Sequence, residues 1–145
     1  MKSLAQLAAE AECRDLVLRT ADAVDSGDAA GFAALFLEDG ELVRPDGSVL
    51  QGRAAIAQAY AARDPDRLTQ HLISNHTVAL DEATDTAQSR CKVLLWSGRH
   101  SAAHTPKGRP TDAMAQVGEF IDTLEHTPEG WRIRHRRAHF ILHST

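Results

Sequence analysis

Helical periodicity is confined to the first 63 or so residues, and everything after it reads as sheet. The early part carries apolar residues at three- and four-residue spacing. The later part consists of long runs bounded by turn residues. Helices that come first and strands that come afterwards do not suit an alternating parallel design. They predict an α+β domain, with N-terminal helices packed on one face of a curved, mostly antiparallel sheet.

Residues 3–25 hold Leu4, Leu7, Ala8, Ala11, Leu18, Ala21 and Val24 near the helical period and predict one long helix. Ser26-Gly27-Asp28 ends it, and Asp28 is placed to cap a short second helix running to Leu35 that buries Phe32, Leu35 and Phe36. Residues 41–44 read as a strand, Pro45-Asp46-Gly47 as a tight turn and residues 48–51 as the returning partner. The alanine-rich stretch 52–63, with Ile56 and Tyr60 one turn apart, predicts a third helix that stops before Asp64-Pro65-Asp66. Strands are expected at 70–80, 87–98, 115–126 and 131–142, joined as an antiparallel meander. The turn-rich stretch 99–111, with His100, Pro106, Gly108 and Pro110, reads as a flap over a cavity or as a surface loop.

Composition sets limits on this picture. With 145 residues, 43% of them hydrophobic and 25% charged, the chain predicts a single domain over 1–145 with a substantial core. A net charge of −4 gives no reason to expect nucleic acid or an anionic membrane as partner, because both favour a basic surface. No basic start is followed by an apolar signal core and no apolar run is long enough to span a bilayer, so the cytoplasm is the expected location. Cys13 and Cys91 lack any metal or disulfide spacing and are expected to act as small buried hydrophobes.

Two titratable residues stand out. Leu4, Ala11, Leu18 and Asp25 fall seven apart, which predicts that Asp25 lies on the apolar stripe of the first helix. A carboxylate there needs a partner, and His71, at the head of the strand beginning Thr69-Gln70-His71, is the one that would turn burial into acid-base chemistry. Strand alternation opposes this, since Leu72, Val78 and Leu80 share one face while His71, Ile73, Asn75 and Thr77 share the other. A pocket wall less apolar than a packed face would remove the conflict, and so would a bulge near Ser74. The alternative role for Asp25 and His71 is a hydrogen-bonded link between helix and sheet.

Other candidates carry less. His135, His139 and His143 are too widely spaced for one ion, four strand residues covering roughly 13 Å. They share a predicted face with Trp131, Ile133 and Ile141, so His135 or His139 is a candidate cavity residue, with ordinary hydrogen-bonded histidines the favoured reading. Arg132, Arg134, Arg136 and Arg137 read as a solvated ladder against Glu119, Asp122 and Glu125. Phe36, Trp96 and Phe120 are candidates to face a ligand, or plain core. Gly27, Gly31 and Gly40 match no phosphate-cradling pattern, and no nucleotide cofactor or metal is expected.

The segments Ala21-Asp22-Ala23-Val24-Asp25-Ser26-Gly27-Asp28, Phe32 to Asp39, Thr69-Gln70-His71 with Asn75, and Gly130-Trp131-Arg132-Ile133 resemble the SnoaL-like branch of the nuclear transport factor 2-like superfamily. Within it the chain is similar to scytalone dehydratases around residues 21–28 and 69–71, and to hexachlorocyclohexane dehydrochlorinase at Asp25 and His71. The resemblance implies a cone-shaped half-barrel with an apolar pocket, usually a homodimer packed through the sheet, and an Asp-His pair serving elimination. It departs from the scytalone dehydratase pattern where Trp96 stands in place of a second histidine, for which His100 or His139 would substitute.

These strands together predict a cofactor-independent lyase or isomerase acting on a small apolar, cyclic or aromatic molecule. His71 would be the base and Asp25 its orienting partner, with Phe36, Asn75, Trp96, Phe120 and His139 at the substrate. A non-catalytic ligand carrier or accessory subunit of the same fold is the rival.

Overall fold

A computed structural model describes residues 1–145. Three helices, α1 (Leu4–Asp25), α2 (Ala29–Ala34) and α3 (Arg53–Ala61), cover a sheet of six strands. These are β1 (Phe36–Val43), β2 (Val49–Gln51), β3 (Arg67–Asp81), β4 (Thr86–Arg99), β5 (Gln116–Thr127) and β6 (Gly130–His143). The strand order is β2-β1-β6-β5-β4-β3, antiparallel throughout except that β1 runs parallel to β6. The four long strands β3 to β6 form the expected antiparallel meander, and β1 adds a parallel contact to β6. β1 also begins at Phe36, five residues before the expected start, because Phe36 pairs with Ile133 ahead of an irregular stretch that resumes at Glu41. The sheet is curved and unclosed, and no helix is long and apolar enough to cross a membrane.

α1 starts on a capping box: the Ser3 hydroxyl accepts from the Gln6 backbone N–H while the Gln6 side chain accepts from the Ser3 N–H. It ends at Asp25, followed by Gly27 at φ +75°, a left-handed position suited to glycine. The buried face is not the one the seven-residue spacing suggested. Leu4 and Leu18 are exposed, while Cys13, Leu16, Val17, Thr20 and Ala21 are buried. Asp25 is turned inward because it extends the four-residue row Cys13, Val17, Ala21. The Asp28 carboxylate caps α2 by accepting from the Gly31 N–H, and the helix drives Phe32 and Ala33 into the core.

The core gathers Leu16, Phe32, Phe36, Leu42, Ile56, Leu124 and Ile133 with their neighbours. Cys13 and Cys91 are buried free thiols, and burial pushes them up to about 12 and about 11, so neither supplies a thiolate near neutral pH.

Two bulges decide which side chains face inward. On β3, Ser74 pairs with Lys92 and Thr77 with Arg90, so Asn75 and His76 together oppose the single residue Cys91, with Asn75 at φ +49°. Thr69, His71 and Ile73 therefore share the inner face with His76, Val78 and Leu80, and Leu72 is left 53% exposed. On β6, Ile133 pairs with Leu124 and His135 with Thr123, which makes Arg134 the extra residue. Trp131 and Ile133 point inward before it, Arg136 and Ala138 after it.

Candidate active site

Asp25 is the last residue of α1, and β3 meets it with three donors. The Thr69 hydroxyl donates to Oδ1 at 2.9 Å, the His71 backbone N–H to Oδ2 at 2.8 Å, and His71 Nδ1 lies 2.5 Å from Oδ1. The two side chains are only 14% and 15% exposed. A carboxylate only accepts, so Nδ1 carries a hydrogen, and in the neutral imidazole the lone pair is then on Nε2. His71 lines a cavity of about 320 Å³ between α1 and the sheet, walled by Val24, Phe32, Leu42, Val93, Leu95 and Phe120. A base needs an orienting acceptor on one ring nitrogen and access to substrate on the other; Asp25 is such an acceptor, and His71 is among the residues that line the cavity.

A second space, of about 400 Å³, adjoins it, lined by Asp25, Arg63, Arg67, Thr69 and His100. His100 enters this wall because the stretch after β4 is tied down. The His100 N–H donates to the Asp66 carbonyl, and Ser101 donates twice to the Asp66 carboxylate. Gly98 is required here, since a Cβ on it would meet the Pro110 carbonyl at 2.8 Å.

Tyr60 and Arg136 also line the 320 Å³ cavity, and sequence reasoning missed both. Burial pushes the Tyr60 phenol above its ordinary value, so it stays protonated at neutral pH. Arg136 is 2% exposed and grips the Asp122 carboxylate with Nε and Nη2, both at 2.8 Å, while Nη1 donates to the Thr20 hydroxyl at 3.0 Å. Its guanidinium lies 4.1 Å from the centre of the Phe120 ring. Burial opposes the Arg136 charge, but Asp122 outweighs it and raises the group. The expected solvated ladder is thus corrected at its third member. The bulge at Arg134 turns Arg136 into the core, where Asp122 is still its cross-strand partner.

Of the five expected substrate residues, Phe120 lines the cavity and the others fare differently. Phe36 is fully buried in the packed core and is absent from the cavity wall. Asn75 sits on the exposed bulge and does not reach the cavity. Trp96 is 39% exposed, because Cys91, Val93 and Leu95 take the inner face of β4 and the residue after them must point outward. His139 borders the cavity, but the β6 bulge puts its ring on the outer face, 2.9 Å from the Glu119 carboxylate.

Lys92 joins that outer cluster at 2.8 Å from Glu119. Its hydrogen bond and that of His139 hold the Glu119 carboxyl down at about 2, from an ordinary 4.5. A depressed carboxylate stabilises the fold above its unfolded value and stops doing so as pH falls through its folded one. Urea unfolding followed from neutral pH downward is expected to lose stability between about 4.5 and 2, and Glu119→Gln is expected to flatten that loss.

The model of the SnoaL-like domain matches residues 5–137. No curated protein sequence matches. Hexachlorocyclohexane dehydrochlorinase LinA, type 2, superposes with a TM-score of 0.80 at 15% identity, over 99% of this chain and 92% of that one. A candidate scytalone dehydratase from Novosphingobium aromaticivorans gives 0.77 at 20% identity, over 97% and 87%. An NTF2-like protein with a cystatin-like fold, also from Novosphingobium aromaticivorans, gives 0.71 at 27% identity, over 97% and 92%. The first two likenesses concern the fold alone.

Proposed function

The chain belongs to the SnoaL-like domain family, and from that membership and the cavity's geometry we propose that it is a cofactor-independent acid-base enzyme catalysing elimination or isomerisation of a small cyclic or aromatic molecule. The observation that carries the reading is His71, held by Asp25 through Nδ1 while it lines an apolar cavity. In this reading Nε2 removes a proton from a substrate carbon, and the electron pair of that C–H bond becomes the new double bond. Hydroxide or halide leaves the neighbouring carbon with the electrons of its own bond. Asp25 stabilises the imidazolium so formed. Tyr60, protonated and on the same cavity, would give a departing hydroxide its proton, and the proton held by His71 then passes through solvent to the Tyr60 phenolate, which restores both groups. Return to a different carbon makes the reaction an isomerisation.

The rival is a ligand carrier in which Asp25 merely fastens α1 to β3, and the three hydrogen bonds on that carboxylate speak for such a link. A screen of hydroxylated and halogenated cyclic compounds separates the two, read by new alkene absorbance and by halide release. Turnover by the native protein that disappears in His71→Gln supports the enzyme. Binding without turnover across the screen supports the carrier.

The same reading includes a homodimer. Leu72, Leu94 and Trp96 lie together on the outer face of the sheet, with Leu72 and Leu94 directly paired and Leu72 and Trp96 53% and 39% exposed, which supports a partner there.

A further inference from the structure

Four arginines, Arg44, Arg63, Arg67 and Arg136, face the 320 Å³ cavity of a chain whose net charge is −4. Arg136 is fully used by Asp122 and Thr20, and Arg44 donates through Nε to the Ser48 hydroxyl. Arg63 and Arg67 have no acidic partner. They flank the turn Asp64-Pro65-Asp66, yet both acids of that turn are committed outward. Asp64 accepts from Arg99 and from the Asp66 N–H, and Asp66 accepts from the N–H and hydroxyl of Ser101. The acids nearest the cavity are committed too: Asp25 to β3, Asp46 to the Ser48 N–H, and Glu119 to Lys92 and His139.

Arg63 is half-buried, with its guanidinium 5.2 Å from the centre of the Tyr60 ring. Arg67 is the first residue of β3, four residues before His71. Both line the 320 Å³ cavity and also the adjoining space that holds Asp25. Two neighbouring guanidinium groups repel each other, and that repulsion, after burial, lowers Arg63. A planar oxyanion relieves it, because each guanidinium offers a fork of donors matched to a carboxylate.

We propose that Arg63 and Arg67 form an oxyanion-binding site at the mouth of the cavity, and that the natural ligand is an organic carboxylate whose apolar body lies against Phe32, Leu42, Val93 and Phe120. This rests on the acid-base reading for the fate of the ligand but not for its binding. The carboxylate is the handle, and proton removal occurs on the body that it positions beside His71.

The test uses benzoate and its neutral isostere benzamide, with binding measured by calorimetry at low ionic strength and pH 8, where an ordinary imidazole is neutral. The native protein is expected to prefer benzoate by about tenfold, and added salt is expected to shrink that margin. In R63Q/R67Q the preference is expected to vanish while benzamide binding is unchanged. Arg67→Gln, which removes an exposed side chain that bonds to nothing, serves if the double variant does not fold, and it is expected to remove most of the margin. Equal affinity for the two probes, or a preference that survives in the arginine variants, overturns the proposal. Because no turnover is read, such a failure leaves the role of His71 untouched. Loss of the acid-base reading in the cyclic-compound screen likewise leaves the benzoate result standing.

Discussion

Replacing His71 by glutamine is expected to slow turnover by about 100- to 10,000-fold while leaving the protein folded, the usual worth of one positioned acid-base group. The fold survives because the imidazole supplies only one of the three hydrogen bonds on Asp25. The Thr69 hydroxyl and the backbone N–H at position 71 remain to anchor the end of α1. Glutamine keeps polar atoms at the site but has no group that titrates near neutral pH, so binding of the apolar body should change little and the loss should fall on kcat rather than KM. A purely structural pair predicts the reverse: a measurable fall in unfolding free energy with turnover unaffected. The two outcomes are read on the same purified variant, by steady-state kinetics and by urea unfolding.

The largest stability effect is expected at Asp122, not at the candidate dyad. Asp122→Ala leaves the Arg136 guanidinium with only the Thr20 hydroxyl and the face of Phe120, in a place where Arg136 is 2% exposed. Stranding one partner of a buried ion pair costs about 3–5 kcal/mol, read as a fall in the urea midpoint at unchanged slope. The neighbouring pair Arg134–Glu125 gives the contrast. There the arginine side chain is 44% exposed, and removing Glu125 should cost under about 1 kcal/mol. Replacing Asp122 and Arg136 together by leucine and methionine is expected to recover much of the loss, since an apolar pair leaves no charge unpaired.

The same two strands show what the chain reveals in one dimension. All three helices and five of the six strands sit close to where periodicity and turn residues put them, because those signals are local: Gly27, Asp28, the Asp64-Pro65-Asp66 stop. The sixth, β1, starts early because Phe36 is recruited by Ile133, almost a hundred residues away, and nothing in its own neighbourhood announces that. Inward and outward facing was harder still. A single extra residue reverses every side chain beyond it. The pair Asn75-His76 reconciles an inward His71 with inward Val78 and Leu80, and the extra Arg134 sends Arg136 in and His139 out.

Asp25 and His71 were legible because an acid near the end of an amphipathic helix and a histidine at a strand head are conspicuous, and the family resemblance pointed to the same two. Asp25 nonetheless turns inward with the row Cys13, Val17 and Ala21, not with Leu4 and Leu18, which are exposed. Arg63 and Arg67 were not legible, for a different reason. Their turn contains as many acids as arginines, and only the three-dimensional arrangement shows that Arg99 and Ser101 take the acids away.

The central claim is that Asp25 fixes the imidazole so that Nε2 presents a free lone pair to the cavity. Nitrogen-15 NMR of the histidine-labelled native protein, taken where the imidazole is neutral and assigned with His71→Gln, reads this directly. The account predicts a pyrrole-like Nδ1 and a pyridine-like Nε2 for His71. A His71 ring that carries its hydrogen on Nε2 would contradict it, because no base would then face the substrate.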